Sequence, residues 1–336
     1  MTAIGVIGSG AWGTTLALLL ANKGLEVTLW EHRPERAVAI QQSRENALFL
    51  PGFRLPDNLY VTSDIAQATR EKQILLLVTP SQRMRENVRL LARYLGPDTL
   101  CVSCTKGIEV GSLKRMTEVI TEEIPSVAGR IAALSGPNIS FEIAQGKPTA
   151  AVVAASDEEV AVRIRDTVNT PLYRIYTSTD VVGVELGGAL KNIIAIGAGF
   201  NEGMQYGENA KAAFITRALA EIARLGIAAG AHPMTFIGLA GIGDLIVTCA
   251  SPLSRNQQLG RRLAAGEKLE DILASTHTVA EGLYTTKAAL QLAKRFNVEL
   301  PITQQLSLVL FEGLDPHKAV PELMMRDPKN EMEGML

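Results

Sequence analysis

Ala3-Ile4-Gly5-Val6-Ile7-Gly8-Ser9-Gly10-Ala11-Trp12-Gly13 is the stretch that decides the fold. An apolar run of strand character enters a Gly-x-Gly-x-x-Gly turn. The turn opens into the apolar helix pattern Thr14–Lys23, and a second strand pattern follows at Glu26–Trp30. Strand, glycine turn, helix, strand is the order a dinucleotide-binding unit requires. Gly8 permits the tight turn, Gly10 lets the backbone approach a pyrophosphate, and Gly13 brings the helix close to the strand. The helix N–H groups then face the phosphates. The glycine pattern alone is weak, and its strand–turn–helix setting is what gives it weight; a glycine-rich turn in another α/β protein is the alternative.

Outward from that motif, the first half alternates strand and helix patterns. Further strands are expected at Leu59–Thr62, Gln73–Thr79, Thr99–Cys104, Ile131–Ser135, Thr149–Ala155 and Tyr173–Tyr176. Helical spacing lies between them at Arg83–Tyr94, Leu113–Glu122 and Glu158–Thr167. Such alternation implies a doubly wound, mainly parallel α/β sheet of the Rossmann type. Strand signals stop after Asp180. Val184–Phe200, Ala210–Ala228, Gln257–Ala265, Tyr284–Phe296 and Thr303–Phe311 all show helical periodicity, so an all-helical C-terminal domain is expected. The boundary is placed near Ser178, giving a dinucleotide-binding domain over 1–178 and a helical substrate and catalytic domain over 179–336.

A chain of 336 residues exceeds one ordinary core, in keeping with two domains. Its formal net charge of −2 gives no electrostatic reason to expect nucleic acid. No apolar run reads as long and uninterrupted enough to span a bilayer. Because the chain enters Ala3–Ile7 at once, no secretory leader is expected, and the reading is cytoplasmic. Cys101, Cys104 and Cys249 form no disulfide framework. Cys101 and Cys104 lie three apart on a strand and so point to opposite faces, which favours buried thiols over half a metal site. His32, His232, His277 and His317 join no grouping with metal-ligand spacing.

Open parallel sheets bind ligands beyond their carboxyl edge, so the strand ends matter. Three end in small or polar turns: Thr79-Pro80-Ser81, Thr105-Lys106-Gly107 and Ser135-Gly136-Pro137-Asn138. Lys106 on that rim suits an anionic substrate or a cofactor phosphate, or is an ordinary surface lysine. Asn138 and Ser140 are site candidates or caps of the helix that starts there. In the second half, Lys191-Asn192 is the polar pair of the apolar stretch Leu186–Gly199. A lysine in such surroundings finds a partner or loses its proton, which is how a general acid near neutral pH is made; a snorkelling lysine is the alternative. Asp244, in an apolar glycine-rich turn, either orients Lys191 or caps the following helix Leu245–Cys249. Ser254-Arg255-Asn256 precedes a helical run and suits a phosphate clamp or a surface cap.

These residues carry a resemblance. GSGAWGT at 8–14, TKGIE at 105–109, LSGPNIS at 134–140 and GVELGGALKNIIAIGAG at 183–199 resemble bacterial-type NAD(P)-dependent glycerol-3-phosphate dehydrogenases. So do NAKAAFITRALAEIARLG at 209–226, GLAGIGDLIVTC at 238–249, SRNQQLG at 254–260 and VAEGLYTT at 279–286. The resemblance implies hydride transfer between NAD(P)H and dihydroxyacetone phosphate to give sn-glycerol 3-phosphate for phospholipid synthesis. It makes Lys191 the catalytic acid/base, with Asp244 and Lys106 assisting. It places Gly8, Gly10, Ala11, Trp12, Gly13, His32, Arg33, Lys106, Ser140, Arg255, Val279 and Glu281 at the cofactor. At the substrate it places Lys106, Gly136, Asn138, Lys191, Asn192, Asp244, Thr248, Ser254, Arg255 and Asn256, where Asn138 stands at a position that varies among small polar residues. Glu31 lies where an acidic residue would hold a ribose 2′-hydroxyl and favour NAD, whereas His32 and Arg33 would suit a 2′-phosphate; the reading leans toward NADPH. A homodimer is also expected. A related 3-hydroxyacid dehydrogenase and a non-catalytic nucleotide sensor are the readings outside this family.

Overall fold

The computed structural model describes residues 2–275, 280–328 and 330–331. Contacts divide the chain into two units, Met1–Thr105 with Met116–Val181, and Lys106–Arg115 with Val182–Leu336. The ten residues from Lys106 therefore leave the sheet unit and return to it.

The described residues of the first unit form ten strands: β1 (Ala3–Ile7), β2 (Glu26–Trp30), β3 (Glu45–Asn46), β4 (Leu50–Arg54), β5 (Leu59–Thr62), β6 (Ile74–Leu77), β7 (Leu100–Ser103), β8 (Ile131–Ser135), β9 (Thr149–Ala154) and β10 (Tyr173–Ser178). Eight of them form one sheet in the order β10-β9-β8-β7-β6-β1-β2-β5. Every pair in it is parallel except β8 with β9. The β8–β9 link carries only the five-residue helix Ser140–Ala144, too little for a parallel crossover. The chain reverses direction there instead. β3 and β4 pair separately as a small antiparallel ribbon that the periodicity did not indicate, because Leu50-Pro51-Gly52-Phe53-Arg54 shows no alternation.

The pleat explains the two apolar layers of this unit. Ile4, Val6, Leu76, Leu100 and Val102 pack on one face, and Ile7, Leu75, Leu77 and Cys101 on the other. Each fully buried Leu or Ile contributes roughly 1.5–3 kcal/mol. Cys104 joins the first face and Cys101 the second, and both are buried and outside any disulfide among the described residues. Burial pushes the Cys101 thiol up to about 12, so it stays neutral.

The second unit is helical and centres on Val181–Gly203. That helix is long and apolar enough to cross a membrane, with mean hydropathy 1.5 over its most apolar window, which the sequence reading had not recognised. Yet 89% of the window is buried inside the protein, so it serves as a core helix. Glu208–Ala228, Arg255–Ala264, Glu281–Phe296 and Pro301–Phe311 complete the unit's longer helices. Glu221 is buried and caps the last of these, accepting from Ile302 N at 2.8 Å, Thr303 N at 2.9 Å and Thr303 Oγ1 at 2.6 Å. Gly187 lets the turn before Asp244 approach the core helix, for a Cβ there would lie 2.6 Å from the Ala240 carbonyl oxygen.

Candidate active site

The site candidates fall into two groups, one in each unit. In the sheet unit, the Gly8–Gly13 turn leaves the end of β1, whose neighbours β2 and β6 lie on opposite sides; this is the point where strand order reverses and ligands bind. Gly8 has φ +116°, a conformation few L side chains adopt. A Cβ on Gly13 would sit 1.8 Å from the Gly8 carbonyl oxygen, so only glycine lets the helix start this close. Gly10 is different: a Cβ there would meet no described atom within 4 Å. The helix Ala11–Asn22 begins directly after it, with no side chain capping its end. An open space in front of free helical N–H groups fits a pyrophosphate.

Glu31, just past β2, is 1% exposed and fully engaged. It accepts from Ser9 Oγ and from Arg33 N at 3.0 Å, and lies 3.1 Å from His32 Nδ1 and 3.3 Å from Arg36 Nη2. Asn46 Nδ2 donates at 2.8 Å both to Ser9 O and to Thr14 Oγ1. The turn is thus braced from below by Glu31 and Asn46, while His32 and Arg33 are exposed. Neither Ser9 nor Asn46 was a sequence candidate; Ser9 lay inside the quoted motif, but nothing in the sequence links Asn46 to it.

Asn138 and Ser140 do not cap the helix Ser140–Ala144. Asn138 Oδ1 accepts instead from the Tyr173 hydroxyl at 3.0 Å, and its Nδ2 is buried without a partner among the described residues. The Ser140 carbonyl accepts from Thr15 Oγ1 at 3.2 Å. Tyr173, fully buried on β10, also meets the Trp12 ring edge-on at 6.4 Å, and the Trp12 indole N–H is buried without a partner among the described residues. Gly136 adopts φ +131° against the β9 backbone.

In the helical unit, Lys191 on the core helix is 7% exposed. Its ammonium pairs with Asp244 Oδ1 and donates to Thr248 Oγ1 at 2.5 Å, and Thr248 in turn donates to the Asp244 carbonyl at 2.6 Å. Lys106 Nζ lies 2.6 Å from the other oxygen, Asp244 Oδ2. Asp244 is completely buried and opens the helix Asp244–Ala250 without capping it. Two ammonium groups against one carboxylate leave the cluster net positive, which suits an anionic substrate. Burial lowers the Lys191 pKa to about 8, with Asp244 pulling it up and Lys106 pushing it down. A proton can therefore leave or join this group near neutral pH.

Asn192, next along the core helix, accepts from Asn256 Nδ2 at 3.0 Å, and Asn256 Oδ1 accepts from Gly282 N at 3.2 Å. This chain ties the helices Val181–Gly203, Arg255–Ala264 and Glu281–Phe296 together beside Lys191. Ser254 caps Arg255–Ala264 by accepting from Gln257 N at 3.4 Å. Arg255 opens that helix with much of the residue exposed, yet crowding around its guanidinium lowers its pKa, and the Glu281 carboxylate partly offsets this. Val279 and His277 lie outside the described residues. Of the other histidines, His232 accepts from Met234 N at 3.2 Å, and His317 sits in the first turn of Pro316–Met324. Among the described residues no group of His, Cys, Asp and Glu could hold a metal ion.

Two family models match the chain: the N-terminal part of NAD-dependent glycerol-3-phosphate dehydrogenase over residues 3–161 and its C-terminal part over 180–321. A glycerol-3-phosphate dehydrogenase [NAD(P)+] of Geobacter metallireducens is 49% identical over 98% of both chains. One from Streptomyces griseus is 48% identical over 97% of both. The crystal structure of glycerol-3-phosphate dehydrogenase from Coxiella burnetii superposes with a TM-score of 0.92 at 34% identity, covering 97% of this chain and 99% of that one.

Proposed function

The chain belongs to the NAD-dependent glycerol-3-phosphate dehydrogenase family, and on that premise we propose that it interconverts dihydroxyacetone phosphate and sn-glycerol 3-phosphate with NAD(P). The observation that carries the chemistry is the buried Lys191–Asp244–Lys106 cluster. The nicotinamide, when bound, supplies or accepts the hydride. Lys191 gives its proton to the substrate's carbonyl oxygen in the reductive direction and takes it back in the other. Asp244 and Thr248 hold the ammonium in place, and Lys106 adds positive field where negative charge develops. Arg255, Asn256 and the helix start capped by Ser254 bind the phosphate, with Gly136, Asn138 and Asn192 completing the substrate contacts. Gly8, Gly10, Ala11, Trp12 and Gly13 hold the pyrophosphate side of the cofactor, helped by Ser140, Val279, Glu281, Lys106 and Arg255. In this scheme 1–178 is the dinucleotide-binding domain and 179–336 the catalytic domain.

NADPH is the preferred cofactor in this reading. Glu31 is held inward by Ser9, His32, Arg36 and the Arg33 N–H, so its carboxylate is not offered to a ribose 2′-hydroxyl, while Arg33 and His32 are exposed for a 2′-phosphate. Equal catalytic efficiency with NADPH before and after Arg33→Ala would remove that preference. The reaction is placed in the cytoplasm, feeding phospholipid synthesis. Exposed Met234, Ile237, Ile246 and Leu253 on the helical unit favour a homodimer, which sedimentation equilibrium measures.

One assay tests the activity: NAD(P)H oxidation with dihydroxyacetone phosphate, with 3-oxo acids, and with no added substrate. Oxidation is expected only with the first. Turnover with 3-oxo acids would favour a hydroxyacid dehydrogenase, and none with any substrate a nucleotide sensor.

A further inference from the structure

We propose that Arg115 and Glu185 are a positioning pair for this site: they dock the segment Lys106–Arg115 so that Lys106 is held against Asp244. The inference rests on the assignment of Lys191 as the proton donor.

Lys106, Ile108 and Arg115 each fasten this segment to the helical unit. At its start, Lys106 reaches Asp244 Oδ2. Near it, Ile108 is fully buried in the helical unit's apolar core. At its end, Arg115 Nη1 lies 2.6 Å from Glu185 Oε2. The segment is also closed on itself. Ile108 and Arg115 face each other as an antiparallel bridge, Glu109 N donates to Lys114 O at 3.0 Å, and Leu113 N donates to Glu109 O at 3.0 Å. Fixing Arg115 therefore fixes Ile108 across from it, and Lys106 is two residues from Ile108.

Glu185 gives the docking its reference point. It lies on the same helix as Lys191, six residues earlier, which is about 9 Å along the axis. One rigid element thus carries both the proton donor and the anchor for the segment that delivers Lys106. The Glu185 side chain is only 4% exposed, so its charge needs a partner at that depth, and the Arg115 fork supplies one.

The consequence is electrostatic. Among the described residues, Asp244 and Lys106 act on Lys191, and the thiol of Cys249 lies near it, with Lys211 of the helix Glu208–Ala228 acting on that thiol as well. Lys106 repels the Lys191 ammonium and also occupies half of the Asp244 carboxylate. If the segment loosens, that repulsion falls and Asp244 turns wholly to Lys191. Lys191 then holds its proton more tightly and becomes a weaker acid.

The experiment is a titration of Lys191 in the full chain by NMR of 13C-labelled lysine, assigned with Lys191→Met, alongside kcat/KM for dihydroxyacetone phosphate across pH. In Glu185→Gln and Arg115→Met, the Lys191 midpoint and the alkaline limb of the rate profile should both move up by at least about 0.5 in pH. Arg115→Lys should bring both back toward the parent. Lys106→Gln should cause the same displacement, and adding Arg115→Met to it should cause no more. A Lys191 midpoint that stays put in Glu185→Gln and Arg115→Met, or displacements that add in the double variant, overturns the proposal. Should the Lys191 midpoint move in the variants while the parent does not turn over dihydroxyacetone phosphate, the pairing stands and the activity assignment fails. If Glu185→Gln does not unfold cooperatively, the Arg115→Met and Lys106→Gln comparison decides alone.

Discussion

The Lys106 ammonium lies 2.6 Å from Asp244, a carboxylate with no solvent exposure, while the other oxygen of that carboxylate holds Lys191. One buried anion therefore serves two cations. Converting Asp244 to Asn leaves the two ammonium groups without their counter-charge and without the carboxylate that positions them. The Lys191 pKa should fall below about 8, and the alkaline limb of the rate profile should move to lower pH. A loss of about 10²-fold in kcat is expected from the misplaced donor. Steady-state kinetics from pH 6 to 9 measure both effects.

In the parent protein, reduction needs Lys191 protonated and oxidation needs it neutral. The kcat/KM for dihydroxyacetone phosphate should therefore decline above about pH 8, and that for glycerol 3-phosphate should rise through the same value. The stability sign follows from linkage. A lysine whose pKa is about 8 folded and 10.5 in the open chain binds fewer protons when folded between those values, so it adds stability as pH rises through that window. Thermal melts of the parent against Lys191→Met from pH 7 to 10.5 should show the gap shift in favour of the parent.

Arg255 is exposed at the first position of its helix, so its removal should spare the fold. Arg255→Ala should raise KM for dihydroxyacetone phosphate by roughly 10–100-fold with kcat nearly kept, the pattern of lost uniform binding. Ser254→Ala should instead cost about 1 kcal/mol of stability through the lost cap. Urea unfolding separates the two.

Tyr173→Phe removes only the hydroxyl that donates to Asn138, leaving the ring against Trp12. Asn138 already has a buried Nδ2 without a partner, and the variant would orphan its oxygen too. A loss of about 1–3 kcal/mol in stability is expected. Asn138→Ala in the same background should recover part of it, as measured by urea unfolding.

The strand–helix alternation carried the sheet unit because parallel strands buried on both faces read as unbroken apolar runs, as Ile74–Leu77 does. The β3–β4 ribbon was invisible for the opposite reason, since Pro51 and Gly52 carry no strand signal and only pairing makes the ribbon. Lys191 stood out because a lysine inside an apolar helix is costly without a partner. Its partner was one of two readings for Asp244, and the structure shows pairing in place of capping. The docking of Lys106–Arg115 on the helical unit was illegible. It depends on Glu185 and Arg115 meeting across 70 residues of chain, and no local pattern encodes that. Glu31 was read for its place in the motif, whereas its orientation follows from Ser9 and Arg36, whose contacts are tertiary.

The most direct test is the rate of NADPH oxidation by dihydroxyacetone phosphate in Lys191→Ala, with NADPH affinity followed in parallel. The account predicts at least a hundredfold loss of turnover, about 10² or more, with the cofactor still bound. Turnover equal to the parent's would contradict it.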